Sequence, residues 1–556
     1  MKWFPFILLV VVLLFSCKKN DNAIAQTSNP FISSLNCSAA TASNSAIAGI
    51  VYTGAITVPY SGGNGLTYSN GVAIASTGVT GLTATLQGDT LASGAGNITY
   101  TITGTASGSG TSLFNVSFGG QSCSIVLTVN DQALVQYGIP FANVCDRLDA
   151  AIYEVNMRVF GAQGNFQGVN ARLDSIKALG VNVVYLMPIY PVGIVNSINS
   201  PYCVKDYKAV NSEFGTLTDL RSLVDGAHSR NMSVILDWVG NHTSWDNAWI
   251  TSHRDWYLQD GAGNILSPPG TGWNNVAQLN FNNNDMRLEM IRDMKYWVYT
   301  ANVDGFRFDY ADGPPFNFWQ QAIDTLRNIT THKLLLLAEG NRSTHFTAGF
   351  DFIFGFSFFG QLKSIYSSNQ PVTNIDALNN IEYINSTNGQ QVVRYISNHD
   401  VNGSDGTSLE LFGGVSGSMA AFIVVAYMKS VPMIYNGQEV GTPFRLTFPF
   451  TGQHIDWTIN PQITAEYKKV MAFRNASAAI RRGFLTSYSN TDICAFTKEQ
   501  GTEKVFITSN LRNNTINYTL PGSVANSIWT DAMTGSTIAL GTQVTLQPYT
   551  YMVLKK

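Results

Sequence analysis

Charged side chains are scarce in this sequence. Asp, Glu, Lys and Arg make up only 12% of the 556 residues, about half the usual share. The 33 Lys and Arg residues nearly balance the 36 Asp and Glu residues, for a net charge of −3, and no block of like charges could serve as a phosphate-binding surface. We therefore expect no nucleic-acid partner. Aromatic residues at 12% and 49 glycines argue against a disordered chain and indicate a folded protein rich in turns.

Long apolar runs are also missing, apart from one at residues 3–15, which is shorter than the ~20 residues that span a bilayer. This run follows Met1-Lys2 and precedes Ser16-Cys17, a pattern that resembles the signal peptide (residues 1–17) of a Bacteroidetes-type exported lipoprotein. It predicts cleavage before Cys17, acylation of Cys17 and a tether over 18–35. The protein would then be an outer-membrane lipoprotein at the cell surface or the periplasmic face. The alternative is an uncleaved N-terminal membrane helix.

Cysteine is limited to six residues, and one of them is the predicted lipidation site. The remaining number is odd, so at least one thiol stays unpaired within the chain. Cys37 and Cys123 bracket a segment of uniform composition, and a disulfide between them would add about 4 to 5 kcal/mol in the chain-entropy model. We predict this pair. No Cys or His group has zinc-like spacing, so a metal cluster is not indicated.

The segment from residue 20 to residue 146 contains no Lys, Arg or Glu, and the return of charge after it predicts a domain boundary near 135 to 147. Short stretches of alternating polarity within it are separated by Gly, Ser and Asn turns, the pattern of an all-β sandwich, here over 36–135. This domain is either a spacer or a sugar-binding module. Because no Trp lies between Trp3 and Trp238 to stack on a sugar, we favour the spacer.

From residue 148 to residue 482, β-rich apolar runs alternate with helical patterns, which predicts a parallel sheet with crossover helices. Eight such runs fit a (β/α)₈ TIM barrel. The candidate strands are 151–160, 181–190, 233–239, 304–310, 333–339, 351–356, 392–397 and 431–435.

Two segments add to this barrel. The interval 240–285 between the third and fourth strands is too long for an ordinary connection and predicts a short excursion domain over the barrel mouth. After residue 484 the short strands and turns return, which predicts a C-terminal β-sandwich over 484–556. The fold class is therefore α/β, a (β/α)₈ barrel with this excursion, the C-terminal sandwich and the N-terminal all-β domain.

Polar side chains follow or end four of the predicted strands. The active site of a (β/α)₈ barrel lies at the C-terminal ends of its strands, so these residues should converge. They supply carboxylates, two histidines and an arginine. The segments are Asp-Trp-Val-Gly-Asn-His at 237–242, Gly-Phe-Arg-Phe-Asp at 305–309, Ala-Glu-Gly at 338–340 and Ser-Asn-His-Asp at 397–400.

These four segments resemble the four signature regions of the α-amylase family, family 13 of the glycoside hydrolases. Three further segments, at 186–191, 200–207 and 431–439, resemble the family's second strand end, the loop that follows it and the eighth-strand region. Together the seven segments cover the chain from about 150 to 480 in the family's order and spacing.

The resemblance implies a catalytic role for three carboxylates. Asp309 would be the nucleophile, Glu339 the general acid/base, and Asp400 the carboxylate that stabilises the distorted, positively charged sugar. A retaining glycosidase needs one ionised and one protonated carboxyl group about 5 to 5.5 Å apart. Arg307, two residues before Asp309 on the same strand face, would keep the nucleophile ionised, and nearby negative charge would raise the pKa of Glu339.

The same resemblance assigns sugar-binding roles. His242 and His399 would hydrogen-bond the hydroxyls of the sugar being cleaved, and Tyr202 would stack on its face. Asp237 would hold Arg307 and the sugar pocket in place. For each histidine the alternative is a satisfied structural residue.

Asn241 matches a position that binds calcium in many relatives, where the cation pins the excursion to the barrel. A purely structural Asn is the alternative, and no organic cofactor is expected. Cys203, next to the stacking Tyr202, is interpreted as a small, partly buried thiol, since no base is paired with it in sequence.

Four tryptophans fall in the excursion, and they are either stacking platforms for glucose units or the core of the excursion; we favour core for most of them. They are Trp245, Trp249, Trp256 and Trp273. One segment departs from the family pattern. Many α-amylases follow the nucleophile with a Lys-His pair on the leaving-group side, whereas Tyr-Ala-Asp-Gly stands here at 310–313, so leaving-group specificity stays open.

The sequence thus predicts a lipid-anchored retaining hydrolase of α-glucans, acting on the α-1,4 bonds of starch or maltooligosaccharides. The alternatives within the family are a cyclomaltodextrinase, a neopullulanase and a transglycosylase. A non-catalytic starch-binding surface protein is the alternative from another class. The expected partners are the α-glucan substrate, a membrane through the lipid anchor and other glycan-uptake proteins.

Overall fold

A computed structural model describes residues 29–387 and 389–556. The chain divides into two compact units between Ala133 and Leu134, next to the predicted boundary region. The predicted signal peptide, the acylated Cys17 and much of the predicted tether lie outside the described residues. Within the described residues, no helix combines the length and apolar character needed to cross a bilayer.

The first unit is built from two sheets whose inward side chains share one core. Burial alternates along its strands because successive side chains point to opposite faces. The prediction of an all-β N-terminal domain is confirmed. One sheet contains Ser34–Leu35, Thr41–Ala42, Val51–Asn64, Ile74–Ala75, Leu82–Leu86 and Ser93–Thr105, the other contains Ala46–Ile47, Thr77–Gly78, Gly110–Phe118 and Gln121–Asn130, and Thr67–Tyr68 pairs separately with Asp89–Thr90.

A disulfide joins Cys37 to Cys123, the pair that the sequence favoured, with 6.0 Å between the Cα atoms. Cys37 begins the one-turn helix Cys37–Ala39, and Cys123 lies in the strand Gln121–Asn130. The bond therefore ties the start of the first unit to its last strand across 86 residues. Three described cysteines, Cys145, Cys203 and Cys494, are free thiols.

The second unit contains a closed barrel of eight parallel strands, as predicted. The strands are buried on both faces, which explains their nearly continuous apolar runs. Each predicted segment overlaps one barrel strand, but most of the strands are shorter than predicted; the first ends at Val155 and is followed by the one-turn helix Met157–Val159. The sixth strand is the shortest. In chain order the strands are β1 Ile152–Val155, β2 Val183–Leu186, β3 Ser233–Val239, β4 Gly305–Asp309, β5 Leu335–Ala338, β6 Phe352–Phe354, β7 Gln391–Arg394 and β8 Val431–Tyr435.

Helices surround the barrel and connect its strands. The helix after β2 begins at a reciprocal capping box between Thr216 and Asp219. The helix before β4 ends at Asn302, whose left-handed backbone turns the chain back toward the barrel. The helices are Phe166–Asn170, Leu173–Ala178, Leu217–His228, Asn284–Ala301, Phe316–Arg327, Thr344–Ala348, Phe356–Ser368, Asn374–Ile381, His399–Ser404, Ser408–Leu411, Gly414–Tyr427, Pro461–Ala476 and Ala478–Arg482.

The excursion follows β3 and ends before the helix Asn284–Ala301. Its two ends pair as short antiparallel strands, His242–Thr243 and Ala277–Gln278. This pairing returns the chain to its starting point and holds the excursion at the C-terminal ends of the strands. A short α-helix, Trp249–Ser252, and a one-turn 3-10 helix, Arg254–Trp256, lie between the two strands.

The C-terminal β-rich domain packs on the barrel within the same compact unit. The strand Ile493–Gln500 is buried on both faces over its first six residues. Cys494 and Phe496 belong to the barrel core, and Ile493 and Ala495 belong to a separate core of the C-terminal domain. Its larger sheet contains Phe484–Ser487, Ile493–Gln500, Glu503–Asn510, Ile528–Asp531, Thr537–Ala539 and Tyr551–Lys555, and Ile516–Thr519 pairs with Gln543–Leu546.

Candidate active site

A cavity of about 900 Å³ opens at the C-terminal ends of the barrel strands. Six of the residues proposed from the sequence line it directly: Tyr202, His242, Asp309, Glu339, His399 and Asp400. Arg307 and Asp237 are fully buried next to these residues. The barrel thus brings together side chains that lie far apart in sequence.

Three carboxylates reach the cavity from three strand ends. Asp309 is the last residue of β4, Glu339 directly follows β5, and Asp400 lies in the first turn of the helix His399–Ser404 after β7. The side chains of Asp309 and Glu339 are only 12% and 13% exposed, whereas that of Asp400 is 61% exposed. Two carboxylates are therefore shielded from solvent and the third is open to it.

Arg307 links the two shielded carboxylates. Its Nη1 atom lies 3.2 Å from Asp309 Oδ1 and 2.7 Å from Asp237 Oδ1, and its Nη2 atom lies 2.5 Å from Glu339 Oε1. Arg307 and Asp309 share a strand face because strand side chains alternate. One guanidinium group thus fixes both carboxylates that a retaining mechanism requires.

Burial raises the pKa of both Asp309 and Glu339 above their ordinary values. Arg307 opposes this rise at both groups, but its single positive charge is shared among the carboxylates of Asp309, Glu339 and Asp237. The charge of Arg307 acts on Asp309 in the expected direction, toward the ionised form, while loss of solvent raises the pKa of the same carboxyl group. Because both pKa values are raised, Asp309 and Glu339 together hold a proton more readily than two carboxyl groups in water would.

His399 is surrounded by acceptors. Its Nδ1 atom lies 2.5 Å from Glu154 Oε1, and its Nε2 atom lies 2.7 Å from Tyr202 Oη and 3.5 Å from Asp400 Oδ1. Burial lowers the pKa of His399, but the carboxylates of Asp400 and Glu154 outweigh it and raise the pKa to about 10. His399 is therefore an imidazolium cation at neutral pH.

Tyr202 extends this polar network across the cavity. Its hydroxyl lies 3.1 Å from Asp237 Oδ2, and its ring stacks on the His399 ring with centroids 5.6 Å apart. Asp237 Oδ2 also accepts a hydrogen bond from Tyr185 at 2.7 Å. Asp237 thus connects Arg307 with the residues expected to bind the sugar, as its assigned role requires.

His242, unlike His399, is uncharged. Burial lowers the pKa of His242 to about 4, so its ring is neutral at physiological pH. The ring makes an edge-to-face contact with Trp273, with centroids 5.6 Å apart. A neutral imidazole has one donor and one acceptor nitrogen, which suits a sugar hydroxyl that can play either part.

The surroundings of Asn241 do not fit a calcium ion. Asn241 Nδ2 donates to Gln278 Oε1 at 3.0 Å, and Gln278 Nε2 lies 3.2 Å from Asn241 Oδ1. Calcium takes 6–8 oxygen ligands, with carboxylates among them. Across residues 29–387 and 389–556, no group of three or more His, Cys, Asp or Glu is placed to hold a metal. The amide pair instead joins the two ends of the excursion, which is a structural role.

The excursion tryptophans divide into two groups. Trp256 belongs to the barrel core, and Trp249 contacts it edge to face with centroids 5.1 Å apart. Trp245 is partly buried against the same core. Trp273 is 36% exposed and lines the cavity. Three of them therefore pack the excursion and one offers a ring to a ligand.

Cys203 is fully buried next to Tyr202. Its Sγ atom accepts a hydrogen bond from Asn275 Nδ2 at 3.2 Å, and burial raises the pKa of the thiol to about 11. A thiol that stays protonated is a poor nucleophile, which agrees with a packing role.

Glu154, the partner of His399, was not recognised from the sequence. It lies in β1, fully buried, 245 residues from His399. A single carboxylate inside the apolar strand Ile-Tyr-Glu-Val was the available signal, because a buried charge needs a partner.

Tyr310 is a second residue that the sequence did not identify. It follows the nucleophile with a left-handed backbone, φ 42°, and its N–H donates to Glu339 Oε2 at 2.7 Å. Its side chain lines the cavity beside Trp273, with ring centroids 4.9 Å apart. The backbone conformation of this residue has no sequence signature, because Gly or Asn would be the usual indication.

Proteins of known family resemble this chain in sequence and in fold. The family profile described as "Alpha amylase, catalytic domain" matches residues 114–269. Alpha-amylase 3 of Dictyoglomus thermophilum is 25% identical over 441 residues, 66% of this chain and 86% of that protein. A cyclomaltodextrinase of a Bacillus species is 23% identical over 391 residues, 62% of this chain and 65% of that protein.

Among solved structures, an α-amylase from Lactobacillus plantarum superimposes with a TM-score of 0.67 and 25% identity, covering 74% of this chain and 99% of that one. The profile and the relatives support a catalytic domain of the α-amylase type, as in family 13 of the glycoside hydrolases, and the chain is an amylase-like glycosidase.

Proposed function

We propose that this protein is a retaining α-glucan hydrolase that cleaves the α-1,4-glucosidic bonds of starch or maltooligosaccharides. The observation that supports it best is Arg307, whose two terminal nitrogens contact Asp309 and Glu339 in one cavity. Relatives named as α-amylases and cyclomaltodextrinases support an α-glucan as the substrate.

The first half of the reaction forms a covalent glycosyl-enzyme. An Asp309 oxygen bonds to the anomeric carbon while the glycosidic bond breaks, and its electron pair passes to the leaving oxygen. That oxygen takes the proton of Glu339, which is the proton that burial keeps on the carboxyl pair. Arg307 remains paired with the carboxylate that is ionised at each stage.

The second half releases the sugar. Glu339, now a carboxylate, removes a proton from water, and the water oxygen bonds to the anomeric carbon as the Asp309 carboxylate leaves. Two inversions restore the α-configuration. The enzyme returns with its proton on Glu339.

The remaining side chains position the sugar that is cleaved. The Tyr202 ring offers an apolar face, and the His399 cation and the neutral His242 offer hydrogen bonds to hydroxyls. The exposed Asp400 supplies negative charge where the oxocarbenium-like transition state is positive.

The product pattern from soluble starch, pullulan and cyclodextrin tests this proposal, using the chain from residue 18 onward beside its Asp309→Asn variant. We expect maltooligosaccharides from starch, with the new reducing end first in the α-form by NMR, and a loss of at least about 1,000-fold in the variant. Preferred cleavage of cyclodextrin or pullulan would instead support a cyclomaltodextrinase or neopullulanase. Dominant transfer products would support a transglycosylase, and binding without release a non-catalytic starch-binding protein.

We also propose that acylated Cys17 anchors the protein to the outer membrane, at the cell surface or the periplasmic face, where other glycan-uptake proteins would be its neighbours. The support is the sequence of residues 1–17. Labelling with radioactive palmitate should mark the protein and not its Cys17→Ala variant. A label that persists in the variant would contradict the anchor.

A further inference from the structure

We propose that the end of the barrel opposite the candidate active site binds a small phosphate-bearing anion, and that Lys333 and Arg482 bind its phosphate group. This site is separate from the one that would hydrolyse α-glucans. Three features support it: a cavity, an excess of positive charge around that cavity, and hydrogen-bond donors that the described part of the chain leaves without partners.

A cavity of about 310 Å³ opens at the N-terminal ends of the barrel strands. Leu148 precedes β1, Lys333 precedes β5 and Asp351 precedes β6, and all three line this cavity. Because the barrel strands are parallel, these positions lie at the other end of the barrel from Asp309 and Glu339. Ligand pockets in proteins start at about 300 Å³, so the cavity has room for a small organic phosphate.

Positive charge exceeds negative charge in the lining of this cavity. Four cations and two carboxylates line it, and each carboxylate is shared between two of the cations. The cations come from four separate segments of the chain, which is why no block of like charges in the sequence indicates them. The pairs are Arg147 and Arg327 with Asp351, each at 2.6 Å, and Lys333 and Arg482 with Asp146, at 3.0 and 3.6 Å.

Lys333 and Arg482 keep hydrogen-bond donors for a ligand. Lys333 Nζ donates to the Val144 carbonyl and to Asp146 Oδ1, both at 3.0 Å, and an ammonium group has a third donor. Arg482 contacts Asp146 and Asp149 through Nη2, so Nε and Nη1 have no partner within residues 29–387 and 389–556. Both side chains are partly exposed, which leaves these donors accessible from the cavity.

The charge of the lining selects a phosphate group. A phosphate monoester carries about two negative charges near pH 7 and three acceptor oxygens, which matches an excess of two cations. A carboxylate ligand would supply one charge and two oxygens. Asp149 does not remove the excess, because it is shared between Arg481 and Arg482.

The rest of the lining suits an organic group attached to the phosphate. Leu148, Leu334 and Leu335 line the same cavity and offer apolar contacts, which inorganic phosphate has no carbon atoms to use. The Cys145 thiol also lines it, and burial raises the pKa of this thiol to about 12. The thiol therefore stays protonated and adds no negative charge that would repel the ligand.

Isothermal titration calorimetry of the chain from residue 18 onward tests this site, with glucose 1-phosphate and inorganic phosphate as separate probes. We expect saturable binding, and Lys333→Gln and Arg482→Gln should each weaken it about 10-fold or more, because each loses hydrogen bonds from a charged donor. The matched control is Lys468→Gln, which removes an exposed cation from the helix Pro461–Ala476 and should leave the affinity unchanged. Tighter binding of glucose 1-phosphate would support an organic phosphate as the ligand, and equal binding of both probes would support free phosphate.

A competition experiment separates this site from the candidate active site. In the Asp309→Asn variant, maltotriose should occupy the sugar-binding cavity without being consumed, and glucose 1-phosphate should keep its affinity. The same probe should raise the Tm of the parent protein and of Lys468→Gln, but not that of Arg482→Gln. Arg482→Lys, which keeps the charge but loses the planar fork, should bind with intermediate affinity and serves in place of a Gln variant that does not fold. No saturable binding of either probe below about 10 mM, an unchanged affinity in a folded Lys333 or Arg482 variant, or competition by maltotriose would overturn the inference.

Discussion

His242 and His399 both line the cavity, and the difference in their surroundings leaves one ring neutral and the other positively charged. His399 lies between the carboxylates of Glu154 and Asp400, whereas His242 is buried beside Trp273 and an amide. The pKa of His399 is raised to about 10 and that of His242 is lowered to about 4. The sugar pocket therefore presents one cation and one neutral ring over the whole physiological range.

These pKa values predict two opposite effects of pH on stability. Because the folded pKa of His242 lies below its unfolded value, the stability that it contributes is lost as pH falls from about 6.5 to about 4. The folded pKa of His399 lies above its unfolded value, so its contribution is lost as pH rises from about 6.5 to about 10. Urea unfolding of the parent protein, His242→Gln and His399→Gln at several pH values measures each contribution by difference. The difference in unfolding free energy between parent and variant should change with pH by up to about 1.4 kcal/mol per pH unit within each range. A difference that does not depend on pH, for either variant, would contradict the assigned charge state.

Gly305 sets the contact between the two strands that carry the reacting carboxyl groups. It begins β4 with φ 143°, and a Cβ there would lie 1.9 Å from the Leu335 carbonyl oxygen of β5. Asp309 and Glu339 stand at the other ends of these strands. Only a residue without a side chain lets β4 and β5 approach in this register.

Gly305→Ala should therefore destabilise the protein by about 2 to 3 kcal/mol through overpacking, and activity should fall as the strands separate. The matched control is Gly360→Ala in the helix Phe356–Ser368, where an added Cβ meets no atom within 4 Å. This control should stabilise the protein by about 0.5 to 1 kcal/mol. Thermal unfolding and starch hydrolysis measure both variants, and a Gly305→Ala protein as stable as its parent would disprove the close approach.

Strands and catalytic carboxylates could be predicted because their signals are local. Apolar runs marked the eight strands, and Asp309, Glu339 and Asp400 follow strands within recognisable segments. The partner of His399 could not be predicted, since Glu154 meets it only when the barrel closes. The proton on the carboxyl pair also depends on burial, which a sequence does not state.

The C-terminal sheet, predicted as a β-sandwich packed on the barrel, also completes the barrel core. Cys494, Phe496, Val505, Ile507 and Val553 from this sheet belong to the barrel core. Polar contacts join the same two regions, since Ser509 Oγ donates to the Ala420 carbonyl, Lys498 Nζ to the Met428 carbonyl and Arg512 Nη1 to the Ile365 carbonyl. An alternating sequence pattern predicts that one face of a strand is buried. It does not tell which part of the protein covers that face, and here the barrel does.

Removal of residues 484–556 should therefore leave an insoluble or inactive chain, because it exposes part of the barrel core. Removal of the first unit is the matched control. That unit has its own core and disulfide, so the chain 134–556 should stay folded and hydrolyse maltooligosaccharides. The two truncated chains are compared by their solubility, their thermal unfolding and their kcat/KM on maltooligosaccharides. A soluble, active chain ending at residue 483 would contradict the shared core.

Removal of metal ions by a chelator should leave the thermal stability and the activity of this protein unchanged. The amide pair of Asn241 and Gln278 already joins the two ends of the excursion, so no cation is needed for that purpose. We expect the same Tm and the same starch hydrolysis before and after dialysis against EDTA. A Tm that falls with EDTA and returns with calcium, but not with magnesium, would restore the calcium interpretation.

Closure of the barrel depends on contacts of very long range. β1 pairs with β8, with Ile152 opposite Met433, and Tyr153 donates to Glu439 at 2.5 Å across 286 residues. Strands that lie far apart in sequence pair slowly, and their edges stay unpaired until the pairing has formed. A growing chain that has reached residue 430 therefore contains Asp309, Glu339 and Asp400 but no ring to gather them. Hydrolytic activity should appear late and abruptly during folding, after secondary structure is in place.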